Sequence, residues 1–311
     1  MKCEIGWDEI ERDDRSIVTV GTFDGVHRGH QAIIDYLKTR AERQSGRSTL
    51  VSFDPHPRSV VHGREVPLLT TISERSTIVE RLGIDRFVVV PFSSEFAQLE
   101  PEDYVGTVLV ERIGLQEITV GYDHRFGRKR KGDVDLLREL GASYGFEVDV
   151  IPAQEVDHDV VSSRRIREIL AEEGDVEQAA SLLGRAYHLE GVVSRGEGRG
   201  RQIGYPTANL ALRDDRKLVP RRGVYAVSVR LPDGRECGGM MNIGRRPTFD
   251  GMDVTVEVHV FDFEGDLYGE ELSVQFLQRL RDEREFDSAD ALAVQLSEDE
   301  QHCRTIVEAF D

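Results

Sequence analysis

Ile17-Val-Thr-Val20, running directly into Gly21-Thr-Phe-Asp-Gly25-Val-His27-Arg-Gly29-His30, is the stretch that decides the fold. The β-branched run reads as a strand. Gly21 and Gly25 give the backbone freedom that a tight strand-to-helix turn needs. From His27 to Ala41 the spacing predicts a helix, with Ile33, Ile34 and Leu37 on one face. His27 and His30 are three apart and share its first turn. Free N–H groups and the helix dipole there favour a phosphate. Two imidazoles at that point can donate to phosphate oxygens and to charge growing on a leaving group. The plainer alternative, a capped helix with two surface histidines, does not account for the strand and glycine turn in front of it.

Outward from this turn, β-rich runs alternate with amphipathic stretches. Leu50–Phe53, Phe87–Val90, Glu117–Val120 and Phe146–Ile151 read as strands; Pro101–Arg112 and Val134–Tyr144 read as helices. Thr71-Ile-Ser-Glu74 has the spacing of a capping box and opens another helix, to about Leu82. Strands joined by helical crossovers imply a parallel sheet covered on its faces. Two more helices, Arg164–Ala171 and Val176–Leu183, follow, the second with Asp175 as N-cap. The pattern then changes. Tyr187–Ser194, Gly223–Arg230, Glu236–Ile243, Thr255–Phe261 and Leu272–Phe276 are strand-like, with a turn at Pro232-Asp-Gly234. Strands without intervening helices suggest an antiparallel barrel, and Ser288–Ala309 closes the chain as a helix. The boundary is placed at Gly184–Ala186, giving domains 1–184 and 185–311.

The 311 residues suit two domains. No apolar run approaches the ~18 residues of a membrane span, and the N-terminus lacks the apolar core of a signal peptide. Cys3, Cys237 and Cys303 form no CxxC pair, so neither a disulfide framework nor a structural zinc site is expected. A cytoplasmic protein with no membrane partner is the expectation; self-association is left open. Asp and Glu outnumber Lys and Arg by 58 to 40, for a net charge of −18. Such a surface repels polyanions and argues against nucleic acid as a partner. Only five of the 40 cations are lysine (Lys2, Lys38, Lys129, Lys131, Lys217). Adaptation to high salt and an ordinary acidic enzyme are both compatible with this balance. Against it, Arg125, Arg128, Lys129, Arg130 and Lys131 put five cations into seven residues, either a solvated loop or a local reversal of sign for anionic substrates.

The barrel half opens with Arg195-Gly-Glu-Gly198-Arg199-Gly200-Arg201-Gln-Ile-Gly204-Tyr-Pro206-Thr207-Ala-Asn209. The glycines make a loop that a phosphate can approach, and Arg195, Arg199 and Arg201 charge it. No lysine follows a glycine, so a P-loop is excluded. Thr207 and Asn209, two apart in an extended segment, present oxygens to one side, the hard donors that Mg²⁺ on ATP phosphates accepts. Thr255, Glu257 and His259 face one side of an alternating strand and Val256, Val258 and Val260 the other. If the valines face the core, Glu257 is open to act as a base; on its own such a residue is more often a solvent-facing strand residue.

The first segment resembles the HxGH signature of nucleotidyltransferases, in the form found in FMN adenylyltransferases. Ser52-Phe-Asp54-Pro55-His56-Pro57, Val120-Gly-Tyr-Asp123-His-Arg-Phe126-Gly127 and Ser162-Ser163-Arg-Arg-Ile166-Arg167 resemble three further motifs of that family, with His124 where its members usually carry phenylalanine. Gly204–Asn209, Pro220 with Gly223-Val-Tyr-Ala226, Asn242-Ile-Gly-Arg-Arg-Pro-Thr-Phe249, Val256–His259, Asp266-Leu-Tyr-Gly269 and Leu280-Arg281-Asp-Glu283 with Phe286 are similar to riboflavin kinase. Together they resemble the bifunctional prokaryotic riboflavin kinase/FAD synthetase family. The resemblance implies a Rossmann-like α/β nucleotidyltransferase domain followed by a β-barrel kinase domain with a C-terminal helix. It implies catalysis by His27, His30 and Glu257, with Mg²⁺ at Thr207 and Asn209. Nucleotide binding falls to Gly21, Phe23, Asp24, Gly29, Ser162, Ser163, Arg167, Gly198, Gly200, Arg201, Pro206, Thr207 and Asn209. Flavin binding falls to Asp54, Pro55, Asp123, Phe126, Arg281 and Glu283. The substrates implied are ATP, riboflavin and FMN, with FAD as the product. An enzyme with one live site and a non-catalytic flavin sensor are the alternatives.

Overall fold

The computed structural model describes residues 1–122, 124–151, 161–195, 200, 204–248 and 251–310, without the side chains of 246–248 and 251–253. By packing, the chain divides into two units, Met1–Ser163 and Arg164–Asp311.

The first unit is a six-stranded sheet of β1 (Lys2–Ile5), β2 (Ser16–Val20), β3 (Arg47–Asp54), β4 (Arg86–Pro91), β5 (Leu115–Gly121) and β6 (Glu147–Ile151). Its order is β1-β4-β3-β2-β5-β6, and every pairing is parallel. A parallel sheet is covered on both faces, so its strands are apolar on both. Successive residues of β4 accordingly go to opposite cores: Val88 and Val90 to one, Phe87 and Val89 to the other. Ile17 and Val18, and Leu50 and Val51, divide the same way. The helices are α1 (Arg28–Arg43), α2 (Pro57–His62), α3 (Ile72–Arg81), α4 (Pro101–Asp103), continued as a wider π-helical coil over Tyr104–Ile113, and α5 (Val134–Tyr144). The capping box of α3 forms as expected, with Glu74 N–H donating to Thr71 Oγ1 at 3.2 Å and Thr71 N–H to Glu74 Oε2 at 2.9 Å. Leftward from β2 run β3 and β4, and rightward run β5 and β6. The direction reverses between β2 and β5, and the crevice at their carboxyl ends is where open α/β sheets take ligands.

The second unit begins inside α6 (Ser163–Glu168), followed by a further turn Ile169–Glu173 and α7 (Val176–Leu183), capped by Asp175 as expected. Six antiparallel strands follow: β7 (His188–Ser194), β8 (Ala208–Leu212), β9 (Gly223–Arg230), β10 (Glu236–Thr248), β11 (Gly251–Val260) and β12 (Glu271–Arg281). They close as a barrel in the order β10-β11-β8-β7-β12-β9. Helix α8 (Ala289–Phe310) covers one outer patch, burying Cys303 with Val224, Ala226, Met240, Phe261 and Leu277.

Candidate active sites

In the first unit, the turn between β2 and α1 is held in a conformation its residues do not favour. Phe23 and Val26 have φ of 46° and 39°, which is costly for an aromatic and worse for a β-branched side chain. Both are buried, and packing holds the strain. Asp24 is wholly buried and turns inward: its carboxylate accepts from Leu69 N–H (3.0 Å), Thr70 N–H (2.9 Å) and Thr70 Oγ1 (3.1 Å), and pairs with Arg75 at 3.3 Å. The Asp24 carbonyl accepts from Ser163 Oγ at 2.9 Å, which joins the last motif of this unit to the first. Ser162 lies beside it in the chain, whereas Arg167 falls in the second unit.

His27 caps α1, its Nδ1 accepting from His30 N–H at 3.3 Å, which leaves the ring proton on Nε2. The two imidazoles stack at 3.6 Å with 17° between planes, and Phe23 lies 4.9 Å from His30. Gly29 leaves room for this pair, since a Cβ there would come within 3.3 Å of the His27 ring. Burial, reinforced by His27 and then Arg75, pushes the His30 pKa well below its usual value, so its ring is neutral at pH 7. Its buried Nδ1 has no hydrogen-bond partner among the described residues.

Across the carboxyl edge runs a line of aromatic rings. Phe53 ends β3 and lies 5.5 Å from Phe92; Phe92 is 5.3 Å from Phe96, Phe96 5.9 Å from Tyr104, and Tyr104 6.0 Å from Phe126. His124 stacks on Phe126 at 5.8 Å. The Tyr104 hydroxyl is buried with no hydrogen-bond partner among the described residues, and burial pushes its pKa up. Asp54, the last residue of β3, is joined to Pro55 by a cis peptide at the same edge. The basic loop is closed by paired hydrogen bonds between Phe126 and Gly132. Three of its five cations are neutralised: Arg125 by Asp133, and Arg128 and Lys131 both by Glu100. Lys129 and Arg130, at φ 53° and 58°, are exposed and make no ion pair among the described residues. Asp123, Gly198 and Arg201 lie outside the described residues.

In the second unit, Val256, Val258 and Val260 are buried and Glu257 lies on the other face, half-exposed. Glu257 pairs in register with Asn209 on one side and Asn242 on the other. Thr207 Oγ1 donates to Glu257 Oε2 at 3.0 Å, and His259 Nδ1 lies 2.8 Å from the Pro206 carbonyl, which fixes the approach to β8. Thr207, Asn209 and Glu257 are therefore brought together. The Gly200 carbonyl accepts from Tyr205 N–H at 2.8 Å. Near Glu257, a Cβ on Gly244 would lie 3.2 Å from Asn242 Nδ2 and 3.3 Å from the Glu283 carboxyl carbon, so this glycine makes room for Glu283. Glu283 lines a cavity of about 590 Å³ with Arg222, Ile243, Arg245, Val254 and Pro220 among its walls. Arg281 is committed elsewhere, its guanidinium donating to both carboxylate oxygens of Asp299 on α8 at 2.6–3.0 Å.

The FAD synthetase family model matches residues 9–165 and the riboflavin kinase model residues 183–307. The bifunctional riboflavin kinase/FMN adenylyltransferase of Pseudomonas fluorescens is 39% identical over 284 residues, 91% of this chain and 90% of its own. The Listeria monocytogenes protein of that name is 36% identical over 301 residues, 96% and 93% of the two chains. The chain belongs to the bifunctional riboflavin kinase/FMN adenylyltransferase family. A Streptococcus pneumoniae structure described as a macrolide-efflux protein is 32% identical, with a TM-score of 0.88 over 98% of this chain and 99% of that one. No helix among the described residues of this family member is long and apolar enough to cross a membrane. Sequence reasoning missed the line Phe53, Phe92, Phe96 and Tyr104, although aromatic residues just past the strand ends were there to be seen. It also missed Arg75, which looks like any helix-surface cation.

Proposed function

We propose that the barrel unit transfers the terminal phosphoryl group of ATP to the ribityl 5′-hydroxyl of riboflavin, and that the sheet unit joins the resulting FMN to AMP from a second ATP, releasing pyrophosphate. In residue terms, the activities are assigned to 185–311 and 1–184. The observation that carries this reading is the row of Asn209, Glu257 and Asn242 with Thr207 hydrogen-bonded to Glu257.

Glu257 takes the proton of the 5′-hydroxyl as its oxygen bonds to the γ-phosphorus and the bond to ADP breaks. The hydroxyl of Thr207 and the amide oxygen of Asn209 are uncharged hard donors. They fit a Mg²⁺ that draws its remaining ligands from ATP phosphates, and no cluster of three acidic, His or Cys side chains exists among the described residues to hold a metal by itself. When bound, that ion neutralises phosphate charge; the protein supplies position and the base. Pro206 and Gly200 are assigned to the nucleotide side; Gly198 and Arg201 keep the nucleotide role that the resemblance implies. The cavity beyond Gly244 takes the flavin ring, with Glu283 on its wall. Arg281, through Asp299, keeps α8 against the barrel beside it.

In the sheet unit the nucleophile, an FMN phosphate oxygen, is already anionic and needs no base. It bonds to the α-phosphorus as the bond to pyrophosphate breaks. His27 donates from Nε2 and neutral His30 stands beside it, at a helix N-terminus that favours the developing charge. Gly21, Phe23, Asp24 and Gly29 shape the turn, Ser163 ties to it through the Asp24 carbonyl, and Ser162 follows on the nucleotide side; Arg167 keeps the nucleotide role that the resemblance implies. The aromatic line, with Phe126, Asp54, Pro55 and Asp123, receives the flavin. Purified protein given riboflavin, ATP and Mg²⁺, at low and at molar KCl, tests the proposal by chromatography of flavins. FMN followed by FAD supports both sites. FMN alone contradicts the histidine site, and bound but unconverted riboflavin contradicts catalysis altogether.

A further inference from the structure

Arg75 is 2% exposed, at the fourth residue of α3, where a helix normally carries its charges outward. Its guanidinium reaches three separate pieces of chain. Nη1 donates to the Thr22 carbonyl at 2.8 Å and to Ser52 Oγ at 2.9 Å. Nη2 donates to Asp24 Oδ1 at 3.3 Å and to the Thr70 carbonyl at 3.1 Å, and Nε to Thr70 Oγ1 at 3.3 Å. The partners are tied to one another as well. Ser52 Oγ donates to the Thr22 carbonyl at 2.9 Å, and Gly25 N–H donates to Thr70 Oγ1 at 2.9 Å. One planar, five-donor cation thus joins the turn at 22–25, the end of β3 and the lead-in to α3.

We propose that Arg75 is the positioning residue of the histidine site, holding the strained turn that sets His27 and His30 at the head of α1. The inference rests on the proposed role of those histidines. The turn cannot hold itself: Phe23 and Val26 occupy left-handed conformations that an isolated chain abandons. Asp24 is the turn's inward anchor, and its charge is matched from below by Arg75. Lysine cannot replace the fork, because one ammonium does not span partners placed on both edges of a guanidinium. The same buried cation acts on His30 electrostatically. Among the described residues, the titratable and charged groups facing His30 are His27 from the helix cap and Arg75 from α3, with Asp24 of the turn paired to Arg75. Burial first, then His27, disfavour a proton on His30, and Arg75 adds to both.

The test compares R75M and R75K in the full-length enzyme, measuring FAD formation from FMN against pH. Riboflavin phosphorylation by the same molecules, in the other unit, serves as the internal reference. R75M is expected to lower kcat for FAD formation about 100-fold, the scale of a small misplacement of reacting groups, and to move the acid limb of the profile to higher pH. R75K, keeping the charge but not the fork, is expected to lose about tenfold with the acid limb close to that of the unmodified protein. R75M within about twofold of the unmodified protein, with the same acid limb, overturns the proposal. If R75M does not fold, R75K decides: full activity there overturns it equally. Unmodified protein that makes FMN but no FAD would instead overturn the reading of the histidine site itself.

Discussion

Removing the Asp299 carboxylate should unlatch α8 from the barrel. Asp299 is 2% exposed and meets Arg281 through hydrogen bonds of 3.0, 3.0 and 2.6 Å, with Gln295 donating to the same carboxylate at 3.0 Å. The Arg281 side chain is itself only 13% exposed. In D299A the guanidinium stays in place with its counter-charge gone, and breaking one side of a buried pair costs ~3–5 kcal/mol. At roughly 2–4 °C per kcal/mol for a unit of this size, the barrel's melting transition should fall by about 10–15 °C. Losing α8 also uncovers Val224, Ala226, Met240 and Leu277, so kinase activity should become heat-labile while FAD formation from FMN at 25 °C continues. The double variant R281M/D299L removes both charges, and replacing a buried pair with apolar groups of similar size is often close to neutral. It should recover most of the lost stability, though not the shape of the flavin pocket beside Glu283. Calorimetry on the full chain resolves the transitions. A barrel transition in D299A within about 2 °C of the unmodified protein would refute the argument. Equal losses in the single and double variants would refute the electrostatic part of it.

Lys129 and Arg130 are the cations of the basic loop that no carboxylate among the described residues pairs with; K129A/R130A should raise the KM for FMN in FAD formation about tenfold, leaving riboflavin phosphorylation unchanged, as steady-state kinetics on each substrate would reveal. His30 titrates below its unfolded value, so the unfolded chain takes up a proton first as pH falls. The contribution of His30 to stability is therefore complete above pH 6.5 and declines below it by about 1.4 kcal/mol per pH unit until the native pKa is reached. Denaturant titrations of the unmodified protein and H30Q between pH 7 and 5 should show that slope in the former only.

The architecture was legible because its signals are local. β2, β3, β4 and β5 are short runs of β-branched and aromatic residues buried on both faces, and α3 and α7 announce themselves through Thr71, Glu74 and Asp175. What escaped was set by partners distant in the chain. β1 has no hydrophobic pattern, because its buried residue is Glu4, paired with Arg86 at 2.8 Å. β10 continues past Ile243 through Gly-Arg-Arg-Pro-Thr, where Gly and Pro weaken any strand signal, because β11 supplies a ladder to their ends. α2 buries no residue and so leaves no periodicity to find. At the sites, the pairs His27–His30 and Thr207–Glu257 follow from motif spacing and strand alternation. The occupations of Arg75, Arg128 and Arg281 do not, since Asp24, Glu100 and Asp299 lie far enough along the chain that only the folded structure brings them near.

The central claim is that two chemistries reside in two separate sites, and the reciprocal pair H30A and E257Q tests it most directly. Each is supplied first with riboflavin and then with FMN, in the presence of ATP and Mg²⁺, and the flavins are separated by chromatography. H30A should accumulate FMN and form no FAD from either substrate. E257Q should leave riboflavin unchanged yet convert FMN to FAD at the rate of the unmodified protein. Loss of both activities in either variant, with both melting transitions intact, would contradict the account.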